Sequence, residues 1–166
     1  MTEIKKFAPE IFTCFDSGLA MVGSGNLAHH NAMTISWGQM GTLWHRPVIT
    51  VFVKPIRFTY SFMEENEYFV VSLFKPSCRK AMGIMGSLSG RDENKEIVAG
   101  LTPIEYNGHV LYREAKISFI CRKIYHNDLV KDNIPAEEIA HHYSQETPHR
   151  MYIGEVVEMV EDASLS

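Results

Sequence analysis

The sequence predicts a mainly β fold, a barrel with short helices added to it. Three observations carry that reading. β-Branched and aromatic residues concentrate in short segments separated by Gly, Pro and Asn. Several of these segments are apolar at odd and even positions alike, as strands covered on both faces are. The helical patterns between them are short and do not alternate with the strands as βαβ units would. With 166 residues, 45% hydrophobic and 22% charged, the chain has the length and composition of one globular domain, read as residues 1–166.

The first strand is Gly18–Val22. It runs into Gly23-Ser24-Gly25-Asn26-Leu27-Ala28, which matches the GxGxxA dinucleotide fingerprint. That fingerprint works only where a strand enters a helix whose N-terminus meets a pyrophosphate. Here the residues from His29 read as another strand, so the glycines are expected to serve a turn, and no Rossmann site is expected. The second strand, Asn31–Trp37, alternates in size. Ala32, Thr34, Ser36 and Gly38 fall on one face, and Met33, Ile35 and Trp37 on the other. The large face suits a core. The small face either lets a flat ring approach, with the Thr34 and Ser36 hydroxyls as partners, or packs tightly on a neighbour.

Val48–Val53 is apolar at both parities, as in a barrel wall covered by helices or by a second subunit. A helix over Arg57–Asn66 follows it, with Phe58 and Phe62 at i,i+4. Tyr68–Phe74 is the next strand. Two helices come after it: Arg79–Gly86, carrying Met82 and Met85, and Asp92–Ala99, which opens on acidic residues and stops before Gly100. Ala115–Tyr125 and Met151–Val160 complete the strands, with a helix over Pro135–Tyr143 between them.

Charge and composition exclude several classes. A net charge of −4 gives no electrostatic footprint for nucleic acid. No apolar run approaches the about 20 residues of a membrane helix. The opening residues, MTEIKKFAPEIF, lack the apolar core of a secretory signal, and the expected compartment is the cytoplasm. Cys14, Cys78 and Cys121 are an odd number at wide spacing and read as reduced structural thiols. The His29–His30 and His141–His142 pairs do not share a face, and no HExxH or His/Cys zinc spacing occurs, so no metal is expected. No Ser/His/Asp triad, activated Cys or carboxylate pair is recognisable from spacing. Redox chemistry would therefore be carried by a bound cofactor.

Two polar loops suit an anion. Lys54-Pro55-Ile56-Arg57-Phe58-Thr59-Tyr60 places Lys54, Arg57 and Thr59 where a buried strand gives way to a helix, and free N–H groups there favour negative charge. Gly86-Ser87-Leu88-Ser89-Gly90-Arg91-Asp92-Glu93-Asn94-Lys95 sets hydroxyls, glycines and two cations just before another helix. Each loop also reads as an ordinary solvated turn, the second with Ser89 or Asp92 as a helix cap. Two such loops beside a small-residue strand suggest one flat phosphorylated cofactor.

The run NAMTISWGQMGTLWHRPVITVFVKPIRFTYSFMEENEYFVVSLF, Asn31 to Phe74, resembles the flavin reductase-like family with the FMN-binding split β-barrel. Gly86–Pro103 resembles that family's SGRD…K segment, and Glu114–Tyr125 and His149–Met159 resemble its late strands. Flavoredoxin-like proteins are the most similar branch. Leu88 and Glu93-Asn94 depart from residues often found in that segment.

The resemblance implies a homodimer with FMN at its interface. It implies that Asn31, Met33, Thr34, Ser36 and Trp37 lie along the ring and ribityl chain. Lys54, Arg57, Thr59 and Tyr60 would lie at the phosphate and ribityl region, and Ser87, Ser89, Arg91 and Lys95 would form a second cradle. His149 would stand near the flavin face, to orient nicotinamide or donate a proton; alone it also reads as a surface histidine. The implied function is an FMN-dependent oxidoreductase reduced by NADH or NADPH, passing electrons to free flavin or another acceptor. An FMN electron carrier not reduced directly by nicotinamide, serving a redox partner protein, is the alternative. A barrel that has lost catalysis or holds another planar ligand such as haem is a third reading, which the colour of the purified protein separates.

Overall fold

A computed structural model describes residues 13–161; the opening MTEIKKFAPEIF stretch lies outside them. The strands are β1 (Ala20–Asn26), β2 (His29–Ile35), β3 (Gly38–Leu43), β4 (Arg46–Val53), β5 (Tyr68–Phe74), β6 (Pro103–Tyr106), β7 (His109–Tyr112), β8 (Ala115–Asp128) and β9 (Arg150–Glu161). The helices are α1 (Phe58–Glu65), α2 (Arg79–Ser87), α3 (Lys95–Ala99) and α4 (Ala136–His142). A seven-stranded sheet runs β2-β1-β5-β8-β9-β4-β3, and β6 and β7 form a separate hairpin. Every ladder is antiparallel.

The two edge strands of the large sheet are consecutive in sequence. β2 ends at Ile35 and β3 starts at Gly38, so Ser36 and Trp37 alone carry the chain from one edge to the other. The sheet must therefore curl until its edges meet at that link, yet no ladder joins β2 to β3 among the described residues. The barrel is closed at one point and split along the rest of its seam.

Alternate residues of six strands fill the interior, Tyr152 and Val156 of β9 among them. Val22, Met33 and Ile35, Ile49, Val51 and Val53, Phe69 and Val71, and Ile117 and Phe119 belong to one buried cluster. The opposite face is covered too. Met21, Ala32 and Phe74 pack beneath Met82 and Met85 of α2 and Tyr112 of β7. Val70 and Ile120 pack beneath Leu111 of β7. This double coverage is why the strands lack polar alternation.

The sequence expectations hold for six strands and four helices, with corrections. β1 does not end at Val22: Gly23 and Gly25 lie inside the strand, and the turn falls at Leu27-Ala28, whose approach is capped by the Asn26 side chain. The glycines serve close strand approach rather than a turn. A Cβ on Gly23 would stand 2.9 Å from the Ala32 Cβ, and Gly25 has φ +110 with the His29 carbonyl 2.2 Å from where its Cβ would be. A strand follows, as the rejection of a Rossmann site requires. α3 starts at Lys95, not Asp92, because the Asn94 side chain accepts from the Ile97 N–H at 3.2 Å and caps it there.

Three strands escape the sequence reading. β3 (GQMGTL) has few β-branched residues, and its turn to β4 is built from Trp44 and His45, both at positive φ. β6 and β7 are joined by Asn107-Gly108, both at positive φ, a strong hairpin signal within a segment not read as strand.

Candidate functional site

A cleft opens along the split seam. Its larger lobe, about 330 Å³, is lined by Met33 to Trp37 of β2 and its exit, Phe52 and Lys54 of β4 and its exit, Arg57, Gly86 and His149. That volume is at the lower end of small-molecule sites. A second lobe of about 170 Å³ continues past Met33 and Arg57. It is walled by Asn31, Phe58 and Thr59, the Ser87–Arg91 loop and Lys95. The curled sheet thus brings residues separated by more than a hundred positions onto one cleft.

The edge position of β2 matters first. It pairs with β1 on one side only, so along the cleft it presents backbone N–H and C=O groups free of any ladder. The small residues of this strand divide between two tasks. Ala32 is buried under α2, and the Thr34 hydroxyl donates to the Met82 carbonyl at 2.5 Å, with Gly86 close above it. These two let α2 seat tightly. Ser36 is exposed at the cleft, and Trp37, 40% exposed, stands at its mouth.

Trp37 does not stand alone. The rings of His142 and His149 lie 5.0 Å from it, centroid to centroid. His149 Nδ1 is 2.8 Å from the Tyr143 hydroxyl. Burial, and then the nearby Lys54 ammonium, lower the His149 pKa to about 4, so its ring is neutral near pH 7 and offers a hydrogen bond rather than a charge. Lys54 is tied to Glu146 by an ion pair and stacks on Tyr143 at 5.8 Å. The segment between α4 and β9 therefore closes one end of the larger lobe.

The smaller lobe has a different character. Arg57 Nη2 donates to the Gly86 carbonyl at 2.6 Å. Arg91 lies over the Phe58 ring at 4.9 Å and reaches the Ile56 carbonyl at 3.5 Å. Lys95, 4% exposed, donates to the Met85 carbonyl at 3.2 Å. Its pKa falls to about 8, through burial and then the Arg57 charge. Among the described residues no carboxylate forms an ion pair with any of these three cations. Glu96, beside Lys95, offsets only part of the cost of burying that ammonium, and Arg57 is half-buried next to it, so an anion in the lobe would stabilise both. Neutral partners complete the wall: Asn31 Nδ2 donates to the buried Thr59 hydroxyl at 2.7 Å, and a Cβ on Gly90 would stand 2.2 Å from Asn31 Oδ1. Ser89 Oγ accepts from the Arg91 N–H at 3.3 Å, and Ser87 Oγ donates weakly to the Ile84 carbonyl at 3.4 Å.

Of the residues singled out in the sequence, Asn31, Met33, Thr34, Ser36, Trp37, Lys54, Arg57, Thr59, Ser87, Ser89, Arg91, Lys95 and His149 line one lobe or the other. Tyr60 lines neither. It sits on the far side of α1, packed on the barrel core with the Arg150 guanidinium 5.7 Å from its ring. Phe52, Phe58 and Glu146 were not singled out. Phe52 has no sequence signal: only the structure shows it as the one partly exposed residue among strand positions 48–53. Glu146 has none, since only the fold brings it to Lys54.

A curled antiparallel sheet left open at its seam, with a cation-walled cleft along the opening, defines a split β-barrel with an anion-receptive site. Residues 12–166 match the flavin reductase like domain, and the chain belongs to that family. Solved structures share the fold. An FMN-binding domain of flavin reductases-like enzyme from Shewanella baltica is 19% identical at a TM-score of 0.66, covering 93% of this chain and 74% of that one. Flavoredoxin of Desulfovibrio vulgaris is 20% identical at 0.67, covering 88% and 70%. An FMN-binding protein from Thermus thermophilus with bound 1-cyclohex-2-enone is 20% identical at 0.66, covering 88% and 71%. No curated protein matches the chain.

Proposed function

We propose that this chain, as a single domain spanning 1–166, binds FMN in the seam cleft and acts as an oxidoreductase. The observation that carries this is the set of three cations, Arg57, Arg91 and Lys95, facing one small lobe, none of them in an ion pair with a carboxylate among the described residues. A phosphate monoester carries close to two negative charges near neutral pH and suits such a lobe. Thr59, Ser87 and Ser89 add hydroxyls there. The larger lobe then receives the ring, against the open edge of β2 from Met33 to Ile35 and the Ser36-Trp37 link, with Trp37 and His149 at its open side. FMN-binding relatives of the same fold support the choice of nucleotide.

Bound FMN supplies hydride acceptance and one-electron transfer, chemistry that the side chains lack. The protein's own residues bind and orient. Arg57, Arg91 and Lys95 fix the phosphate end. β2 presents donors and acceptors to the ring edge. His149, neutral and oriented by Tyr143, holds a hydrogen-bonding nitrogen at the mouth, where a nicotinamide would enter. NADH or NADPH is the proposed reductant, and free flavin or another acceptor takes the electrons. The likeness to a flavoredoxin favours a second reading, an FMN carrier that receives electrons from a protein instead.

Anaerobic titration of the yellow holoprotein with NADH and with NADPH separates the two. Rapid bleaching of the visible flavin band supports the reductase. A band that persists until dithionite is added supports the carrier. A purified protein that takes up no flavin overturns both.

A further inference from the structure

Behind the smaller lobe lies a polar group that the proposed function does not use. His30 Nδ1 is 3.1 Å from the Asn26 carbonyl, and its Nε2 is 3.0 Å from Glu96 Oε1. Both ring nitrogens therefore face acceptors, and only the imidazolium donates from both. The same Glu96 oxygen accepts from the Tyr112 hydroxyl. Both His30 and Glu96 side chains are mostly shielded, at 13% and 14% exposed.

The position of this pair gives it meaning. His30 immediately precedes Asn31 on β2, and Glu96 immediately follows Lys95 on α3. Asn31 and Lys95 both wall the smaller lobe. α3 is five residues long; Ala99 packs on the core beside α2, while Ile97 and Val98 are exposed. The His30–Glu96 bridge is thus a direct tie between the edge strand and the short helix that carries the buried ammonium.

We propose that His30 and Glu96 are a positioning pair that holds Asn31 and Lys95 at the lobe, so that the proton on His30 sets how strongly the protein prefers a phosphorylated flavin to an unphosphorylated one. This rests on the FMN reading above. The groups facing His30 are Glu96 and Lys95 of α3, Tyr112 and His109 of β7, and Tyr68 of β5. His29 on its own strand, reaching Glu65 of α1 at 3.9 Å, and Arg91, Asp92 and Glu93 of the loop before α3 complete them. The Glu96 hydrogen bond raises the His30 pKa above 6.5, against the opposing effect of burial. For a raised histidine both donations and the charge on the bridge are present below pH 6.5; as pH rises through the raised value, one donation and the charge that strengthens the tie to Glu96 are lost. The Lys95 ammonium, with its pKa of about 8, adds a second loss at higher pH.

The test combines flavin affinities with a direct titration of the ring. Dissociation constants for FMN and riboflavin are measured from pH 6 to pH 8 for the native protein, His30→Gln, Glu96→Gln and Arg57→Ala. The FMN preference of the native protein should fall with pH relative to His30→Gln, a comparison that cancels the phosphate's own titration. His30→Gln should show a preference about tenfold lower at pH 6. Nuclear magnetic resonance of the His30 Cε1–H should give a midpoint above 6.5 in the native protein and a lower one in Glu96→Gln. An unaltered preference and pH profile in His30→Gln, with Arg57→Ala still losing preference, overturns the pair and leaves the FMN reading standing. No loss of preference in Arg57→Ala overturns the FMN reading itself. If His30→Gln does not fold, a native His30 midpoint at or below 6.5 is sufficient to overturn the proposal.

Discussion

Arg57 is the residue on which the phosphate assignment turns, because it is shared by both lobes and, among the described residues, its guanidinium donates to a backbone carbonyl and forms no ion pair. A hydrogen bond to a charged group contributes about 1.5–3 kcal/mol. Arg57→Ala should therefore weaken FMN binding about ten- to a hundredfold and riboflavin binding far less, as read by fluorescence titration. Arg57→Lys should recover only part, since an ammonium lacks the planar fork. Equal weakening of both ligands would mark the residue as structural. His149 gives a second expectation, in acid. Its folded pKa of about 4 lies below its ordinary 6.5, so between these values the unfolded chain binds the extra proton. Melting temperature should fall as pH is lowered from about 6.5 toward 4, and His149→Gln should flatten that slope. Parallel slopes for variant and native protein would contradict it. Cys121 has no such role: burial pushes its thiol up and keeps it protonated.

At the scale of elements, the β1–β2 hairpin aims the cleft wall. Gly25 sits in it at φ +110, with no room for a Cβ beside the His29 carbonyl. Gly25→Ala should destabilise the protein by roughly 1–3 kcal/mol, because strain and displacement of His29 and His30 add together. Chemical denaturation reads this directly, and an unchanged midpoint would remove the hairpin from the account. The same element shows what sequence could reveal. The size alternation of Asn31–Trp37 was legible, and so was the double burial of Val48–Val53, because side-chain parity is local information. The division of the small face was not: Ala32 is buried under α2, the Thr34 hydroxyl is spent on α2 while the residue lines the lobe, and Ser36 stays exposed, which depends on where a distant helix packs. β3 was hidden because an exposed edge needs no apolar pattern. Tyr60 was misplaced because its neighbours in the loop face the cleft while a helical residue one step further turns away. Glu146 and the His30–Glu96 pair meet their partners only through long-range folding.

For the whole molecule, the seam and the outer face of β3 make separate demands. The β3–β4 face carries a groove of about 640 Å³ lined by Met40, Leu43, Val48 and Ile153, and Trp44 in the adjoining turn is 62% exposed. Such a surface suits a second copy of the chain across a two-fold axis. Light scattering at micromolar concentration should return a dimer, and added FMN should raise its stability if the ligand lies between subunits. A monomer would contradict this. The dimer is nonetheless secondary to the central claim, which is that the split barrel builds a cleft for a flavin that carries a phosphate. The most direct measurement is calorimetric titration of the flavin-free native protein with FMN and with riboflavin, at low and at moderate salt. The account predicts FMN binding at least about a hundredfold tighter than riboflavin, with the difference shrinking as salt rises. Equal affinities at both salt concentrations would contradict it.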